Sequence, residues 1–195
     1  GRAADRGRRD RAQLGRSALT GQYAEQELAL AIPLVQGLLE SAEFRVWLTN
    51  EPALAKATHD PALQASLRSK TMKAPYWFNY FCGTCDGGNP NGCKLGTGTE
   101  SDVLLMFDCP GSRLALHIEI KRAGDSLRGG QAETYPRRAA CWANPHTRPR
   151  YVPPHDRWQT ILAHGDSPLS QAEAASFARI VTHDDIRRQR PEYPR

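Results

Sequence analysis

The chain lacks an apolar run long enough to cross a bilayer: its longest, Leu28 to Val35, is interrupted by Pro33. No apolar segment follows the arginine-rich beginning, so no secretory signal is expected. Cysteine is sparse and odd in number, at five, and unevenly spaced, which argues against a secreted disulfide framework. A reducing, cytoplasmic setting without a membrane partner is the expectation. What is present is 39% hydrophobic and 24% charged, the make-up of a folded protein rather than a disordered one. The 195 residues suffice for one domain with a sizeable core.

The net charge of +5 lies at the two ends. Residues 1–16 carry a net +4 and residues 187–195 a net +3, which leaves −2 for everything between. The expected organisation is a disordered basic arm over 1–16, one domain over 17–186, and a basic tail over 187–195. Basic ends suit non-specific phosphate contacts, or are simply solvated. The slightly acidic body fits a domain that keeps carboxylates for a metal.

From about Thr20 to Asn50 the pattern is helical, with Leu28, Ile32, Val35, Leu38 and Leu39 spaced by three and four. Pro33 should kink this helix or open a second one, because it has no N–H. Ser41 resembles an N-cap for a short helix carrying Phe44, Trp47 and Leu48. Residues 51–72 read as weakly patterned helix. The stretch 75–99 is rich first in aromatics, then in cysteine and glycine, with little periodicity. Two apolar runs then flank Cys109-Pro110-Gly111-Ser112, whose central Pro-Gly suits a type II turn and predicts a β-hairpin. A mostly helical segment over 126–143 follows. Strands at 158–163 and 177–182 are expected around a short helix near 170–175.

In the second hairpin strand side chains alternate between faces. Leu114, Leu116, Ile118 and Ile120 face a core, while Ala115, His117, Glu119 and Lys121 point the other way. Glu119 and Lys121 are thus neighbours, roughly 6–7 Å apart along the strand. Asp102 opens the first strand and folds back beside Glu119. Two converging carboxylates suit Mg²⁺ or Mn²⁺, which also take phosphate oxygens and activate water. A lysine beside that water would orient it or neutralise developing charge. His117 reads as a hydrogen-bonded neighbour, and His155, His164 and His183 as surface residues.

Asp102, the hairpin and Ile118-Glu119-Ile120-Lys121 together resemble the signature of the PD-(D/E)XK nuclease superfamily. Gln131-Ala-Glu-Thr-Tyr135 is similar to the Q-x-x-x-Y element of many members. Arg138 extends it to the Q-x-x-x-Y-x-x-R form of one uncharacterised prokaryotic group. The resemblance is strong over 100–138 and loose over the rest of 22–142. It implies an α/β fold, restriction-endonuclease-like, with a mixed central β-sheet flanked by helices. It also implies metal-dependent hydrolysis of nucleic acid, most simply DNA. Asp102 and Glu119 would bind metal, Lys121 would act on the water, and Gln131 would support the site. An acidic residue of the first helix often faces the metal in that group, here Glu27 in preference to Glu25. Ser101 stands where the name-giving proline would be, and Pro136 falls inside the Q-x-x-x-Y-x-x-R segment, where it should disturb the aim of Gln131 and Arg138. The alternative function is a non-catalytic module binding nucleic acid or protein, and a homodimer or larger assembly stays open.

The cysteine-rich insert over 75–99 is foreign to that common pattern. Cys82-Gly-Thr-Cys85 is a good zinc half-site and Cys93 a third candidate ligand. Cys109, Cys141 or a histidine would complete a structural Zn²⁺ site. Free thiols in a loop are the alternative.

Overall fold

A computed structural model describes residues 25–60, 77–81, 100–148 and 152–195. Residues 25–40 form a helix, α1, whose buried positions Glu27, Leu30, Ala31, Leu34, Val35 and Leu38 recur every three or four residues. Pro33 does not divide it: the helix runs unbroken from 25 to 40. The carbonyl that Pro33 leaves without an N–H belongs to Ala29, which is exposed and within reach of water. Ser41 caps α2 (Ala42–Thr49) as expected, its hydroxyl accepting from the Phe44 N–H at 3.1 Å. Phe44 and Leu48 enter the core, with Trp47 packed against it. The buried Arg45 side chain donates to the carbonyls of Leu38, Leu39 and Leu54, which ties the end of α1 to the following turn.

That turn corrects one expectation. Instead of a helix from 51 there is a single 3₁₀ turn, Pro52–Lys56, followed by an isolated bridge between Thr58 and Asp108. Residues 61–72 lie outside the described residues. A second correction is a strand, β1 (Trp77–Phe81), where no periodicity signalled one.

The hairpin is where the alternation put it. β2 (Glu100–Cys109) and β3 (Ser112–Lys121) pair antiparallel from Cys109↔Ser112 to Val103↔Ile118. Gly111 holds φ +76°, the left-handed conformation demanded at the second central position of a type II turn. After β3 the chain crosses over through α3 (Gln131–Ala143) to β4 (Arg157–His164), which lies parallel to β3. A short helix α4 (Gln171–Ala175) then leads to β5 (Arg179–Thr182), parallel to β4, and α5 (His183–Gln189) closes the order. Among the described residues the mixed sheet has five strands, in the order β1-β2-β3-β4-β5. Both β4 and β5 match strands expected from the sequence.

The sheet is buried on both faces, which is why its central strands read as near-continuous apolar runs. Val103, Leu105, Phe107, Leu114, Leu116, Ile118 and Ile120 pack with α1 and α2. On the opposite face Leu104, Met106 and Ala115 meet Trp142 of α3, and Leu162 meets Tyr135 and Phe177. Each fully buried Leu, Ile or Phe among them contributes about 1.5–3 kcal/mol. The fold is therefore α/β with a mixed sheet between helices.

Residues 187–195 are not a solvated tail. Ile186 and Tyr193 belong to the α1-side core, Arg187 donates to the Pro194 carbonyl at 2.7 Å, and Arg190 pairs with Glu40 and lies over the Phe44 ring. Arg187 and Arg190 thus pack the segment against its neighbours, while Arg188 and Arg195 are exposed. The proposed arm over 1–16 lies outside the described residues.

Candidate active site

β3 delivers Glu119 and Lys121 to one face two residues apart, and the two side chains meet: Lys121 Nζ stands 2.6 Å from Glu119 Oε1. Both are buried, with side-chain exposures of 9% and 2%. Buried ion pairs are costly to assemble and costlier to break by removing one partner. Burial alone would lower the Lys121 pKa, but the Glu119, Asp102 and Glu27 carboxylates outweigh it and hold the ammonium above its ordinary value.

Helix α3 supplies the rest of the Glu119 environment. Gln131 is its first residue, with its side-chain Oε1 accepting from the Arg128 N–H at 3.0 Å. That leaves Nε2 to donate to Glu119 Oε1 at 2.6 Å. Tyr135, one turn further on the same helix face, donates its hydroxyl to Glu119 Oε2. Burial first, then the nearby Glu119 and Asp102 charges, keep the phenol well above its ordinary pKa. Arg138 is buried as well, lying over the Tyr135 ring at 4.6 Å and donating to Ser101 Oγ. Pro136 thus sits inside a helix that continues through it and still aims Gln131 and Tyr135 at one carboxylate. Tyr135 was legible only as part of a motif. Its contact with Glu119 is a role that the four-residue spacing from Gln131 could have signalled.

Asp102 completes the centre from β2. Val103↔Ile118 is the last registered pair of the hairpin ladder, and beyond it Asp102 Oδ2 takes the Ile120 N–H at 2.6 Å. Its pKa is raised well above the usual carboxylate range, by burial first, then by Glu119 and Glu27. Glu27 is accordingly near enough to act on both Asp102 and Lys121, and it lies on the buried face of α1. Glu25 is exposed.

Three buried carboxylates, Asp102, Glu119 and Glu27, thus act through their charge on one ammonium. The excess negative charge and the all-oxygen donor set fit an oxygen-seeking divalent ion such as Mg²⁺. Among the described residues, no three His, Cys, Asp or Glu side chains are gathered closely enough to hold an ion as they stand. Lys121, Gln131 and Tyr135 occupy the Glu119 oxygens instead.

Compared with known proteins, the chain matches no family model, no curated protein and no solved structure at a significant level.

His117 shares the Glu119 face but lies in the core, edge-on to Trp142 with ring centroids 6.3 Å apart. Burial keeps its pKa well below the ordinary histidine value. The other histidines expected at the surface are also inside: His155, His164 and His183 are all buried. The zinc candidates Cys82, Cys85 and Cys93 lie outside the described residues, with most of the insert. Cys109 packs on the α1 side of the sheet and Cys141 on the α3 side, so the sheet separates the two thiols once considered as alternative fourth ligands.

Proposed function

We propose that the chain is a Mg²⁺- or Mn²⁺-dependent nuclease acting on DNA, with a restriction-endonuclease-like fold of the PD-(D/E)XK kind. The observation that supports this most is the convergence of the motif residues. Asp102, Glu119 and Lys121 meet at the end of the hairpin, and Gln131 from the next helix bonds to Glu119. The mixed sheet between helices is consistent with this reading. No described helix is long and apolar enough to cross a membrane.

Asp102 and Glu119, with Glu27, would hold the metal. The ion, when bound, supplies Lewis-acid stabilisation of phosphate charge and a water of lowered pKa. Gln131 and Tyr135 fix the orientation of the Glu119 carboxylate, so it cannot rotate away as the charge beside it changes. Lys121 contributes a cation in a buried setting, where it counters negative charge developing on a phosphodiester more strongly than it would in water.

A second reading, a non-catalytic binding module, draws on the closed Lys121–Glu119 pair and the near-complete burial of both carboxylates. One experiment separates the two. Wild type and Lys121→Ala are incubated with supercoiled, linear, single- and double-stranded DNA in Mg²⁺, Mn²⁺ or EDTA. The nuclease reading expects metal-dependent cleavage that falls about 10²–10⁴-fold in the variant. A folded wild type that binds DNA but cuts none of these substrates would instead support the module.

A further inference from the structure

β3 ends at Lys121, and strand ends fray unless something holds them. Here the Lys121 carbonyl accepts two hydrogen bonds. The Gly165 N–H donates at 3.1 Å, and His183 Nε2 lies 2.8 Å away. A carbonyl oxygen can only accept, so Nε2 must carry the proton. Burial lowers the His183 pKa below its ordinary value, which favours the neutral ring with Nδ1 bare. The Tyr193 hydroxyl, 3.1 Å from Nδ1, is then the donor. Burial also keeps that phenol protonated. The two rings stack with centroids 5.7 Å apart. The result is a relay in one direction, from the Tyr193 O–H to His183 and from the His183 N–H to Lys121.

We propose that His183, locked in its Nε2–H tautomer by Tyr193, is a positioning residue that fixes the end of β3 so that the Lys121 ammonium stays on Glu119. Lysine has a long flexible stem, and ordering it costs side-chain entropy. That cost falls if the backbone from which the stem springs is already immobile. Arg187 seats the segment carrying Tyr193, reaching the Pro194 carbonyl and pairing with Asp184. The catalytic part of the inference rests on the nuclease reading, whereas the tautomer and the ordering of Lys121 do not.

Three variants test it. His183→Phe keeps a flat buried ring but removes the donor, His183→Gln restores a donor, and Tyr193→Phe keeps the stacked ring without its hydroxyl. In the wild type, ¹⁵N shifts of the His183 ring should report Nε2–H with Nδ1 bare. The two ε-methylene protons of Lys121 should be inequivalent, as in a held side chain. They should collapse towards equivalence in His183→Phe and separate again in His183→Gln. With cleavable DNA, His183→Phe should lower kcat about 10-fold at unchanged KM, the loss expected for one hydrogen bond. His183→Gln should recover most of it, and Tyr193→Phe should fall between. An Nδ1–H tautomer in the wild type would overturn the proposal. So would Lys121 protons that stay inequivalent in a folded His183→Phe. A wild type that cleaves nothing would sink the nuclease reading, while the two spectroscopic readouts still decide the positioning role.

Discussion

Gln131 Nε2 and Lys121 Nζ both stand 2.6 Å from the same oxygen, Oε1 of Glu119. A carboxylate oxygen held by one cation and one fixed amide has little freedom to turn. Groups that orient a metal ligand in this way typically govern affinity by 10–100-fold. Gln131→Ala is therefore expected to weaken Mn²⁺ binding by about 10-fold while leaving the fold intact, measured by titration calorimetry. Unchanged affinity would remove Gln131 from the site.

Asp102 keeps its proton well above the ordinary value of 3.8, through burial and the charges of Glu119 and Glu27. An acid that titrates later in the folded chain than in the unfolded one contributes stability that is complete below the unfolded value. That contribution is lost as pH rises through the folded value. Asp102→Asn keeps an acceptor for the Ile120 N–H and removes the charge. In EDTA the variant is expected to melt about 3 °C or more above wild type at pH 8, with little difference at pH 4. Thermal melts across that range check the sign. A wild type that holds a constant margin over the variant at every pH contradicts it.

Gly165 has a different reason to be glycine. A Cβ there would lie 2.4 Å from the Ala123 Cα, a backbone atom that cannot swing aside. The same residue donates to the Lys121 carbonyl, so the close approach and the tether are one contact. Gly165→Ala should destabilise the fold by about 1–3 kcal/mol in urea denaturation. A neutral result would mean that the two loops separate easily.

Much of this centre was legible because the hairpin announces itself. Pro110-Gly111 dictates the turn, the turn dictates the register, and strict alternation then sets Glu119 and Lys121 on one face. Glu27 was a weaker inference, yet it lies on the buried face of α1 while Glu25 is exposed. What stayed hidden depends on contacts between distant segments. Nothing local marks Tyr193 as a partner of His183, and a run with four arginines reads as solvated until Tyr193 is seen in the core. β1 was missed because a run that is aromatic at every position but Asn79 shows neither helical nor strand periodicity. The histidines were misjudged because a neutral imidazole is tolerated inside when a backbone carbonyl accepts its N–H, as for His183 on Lys121, and sequence shows no such carbonyl.

Arg138 offers the last test, because its seat discriminates between two kinds of cation. The guanidinium lies 4.6 Å from the centre of the Tyr135 ring and donates to Ser101, next to Asp102. It therefore backs the tyrosine that holds Glu119 and ties α3 to β2. A planar, weakly hydrated guanidinium suits stacking inside a protein, whereas the ammonium of lysine is compact and strongly hydrated. Arg138→Lys leaves a charge in that seat without the fork to satisfy it, and should cost about 2–4 kcal/mol. Arg138→Met loses the hydrogen bonds but leaves no buried charge, and should cost less than the lysine variant. Urea denaturation of the two proteins decides the order. A lysine variant as stable as wild type would mean that position 138 requires only positive charge, and that the stack on Tyr135 contributes nothing to the site.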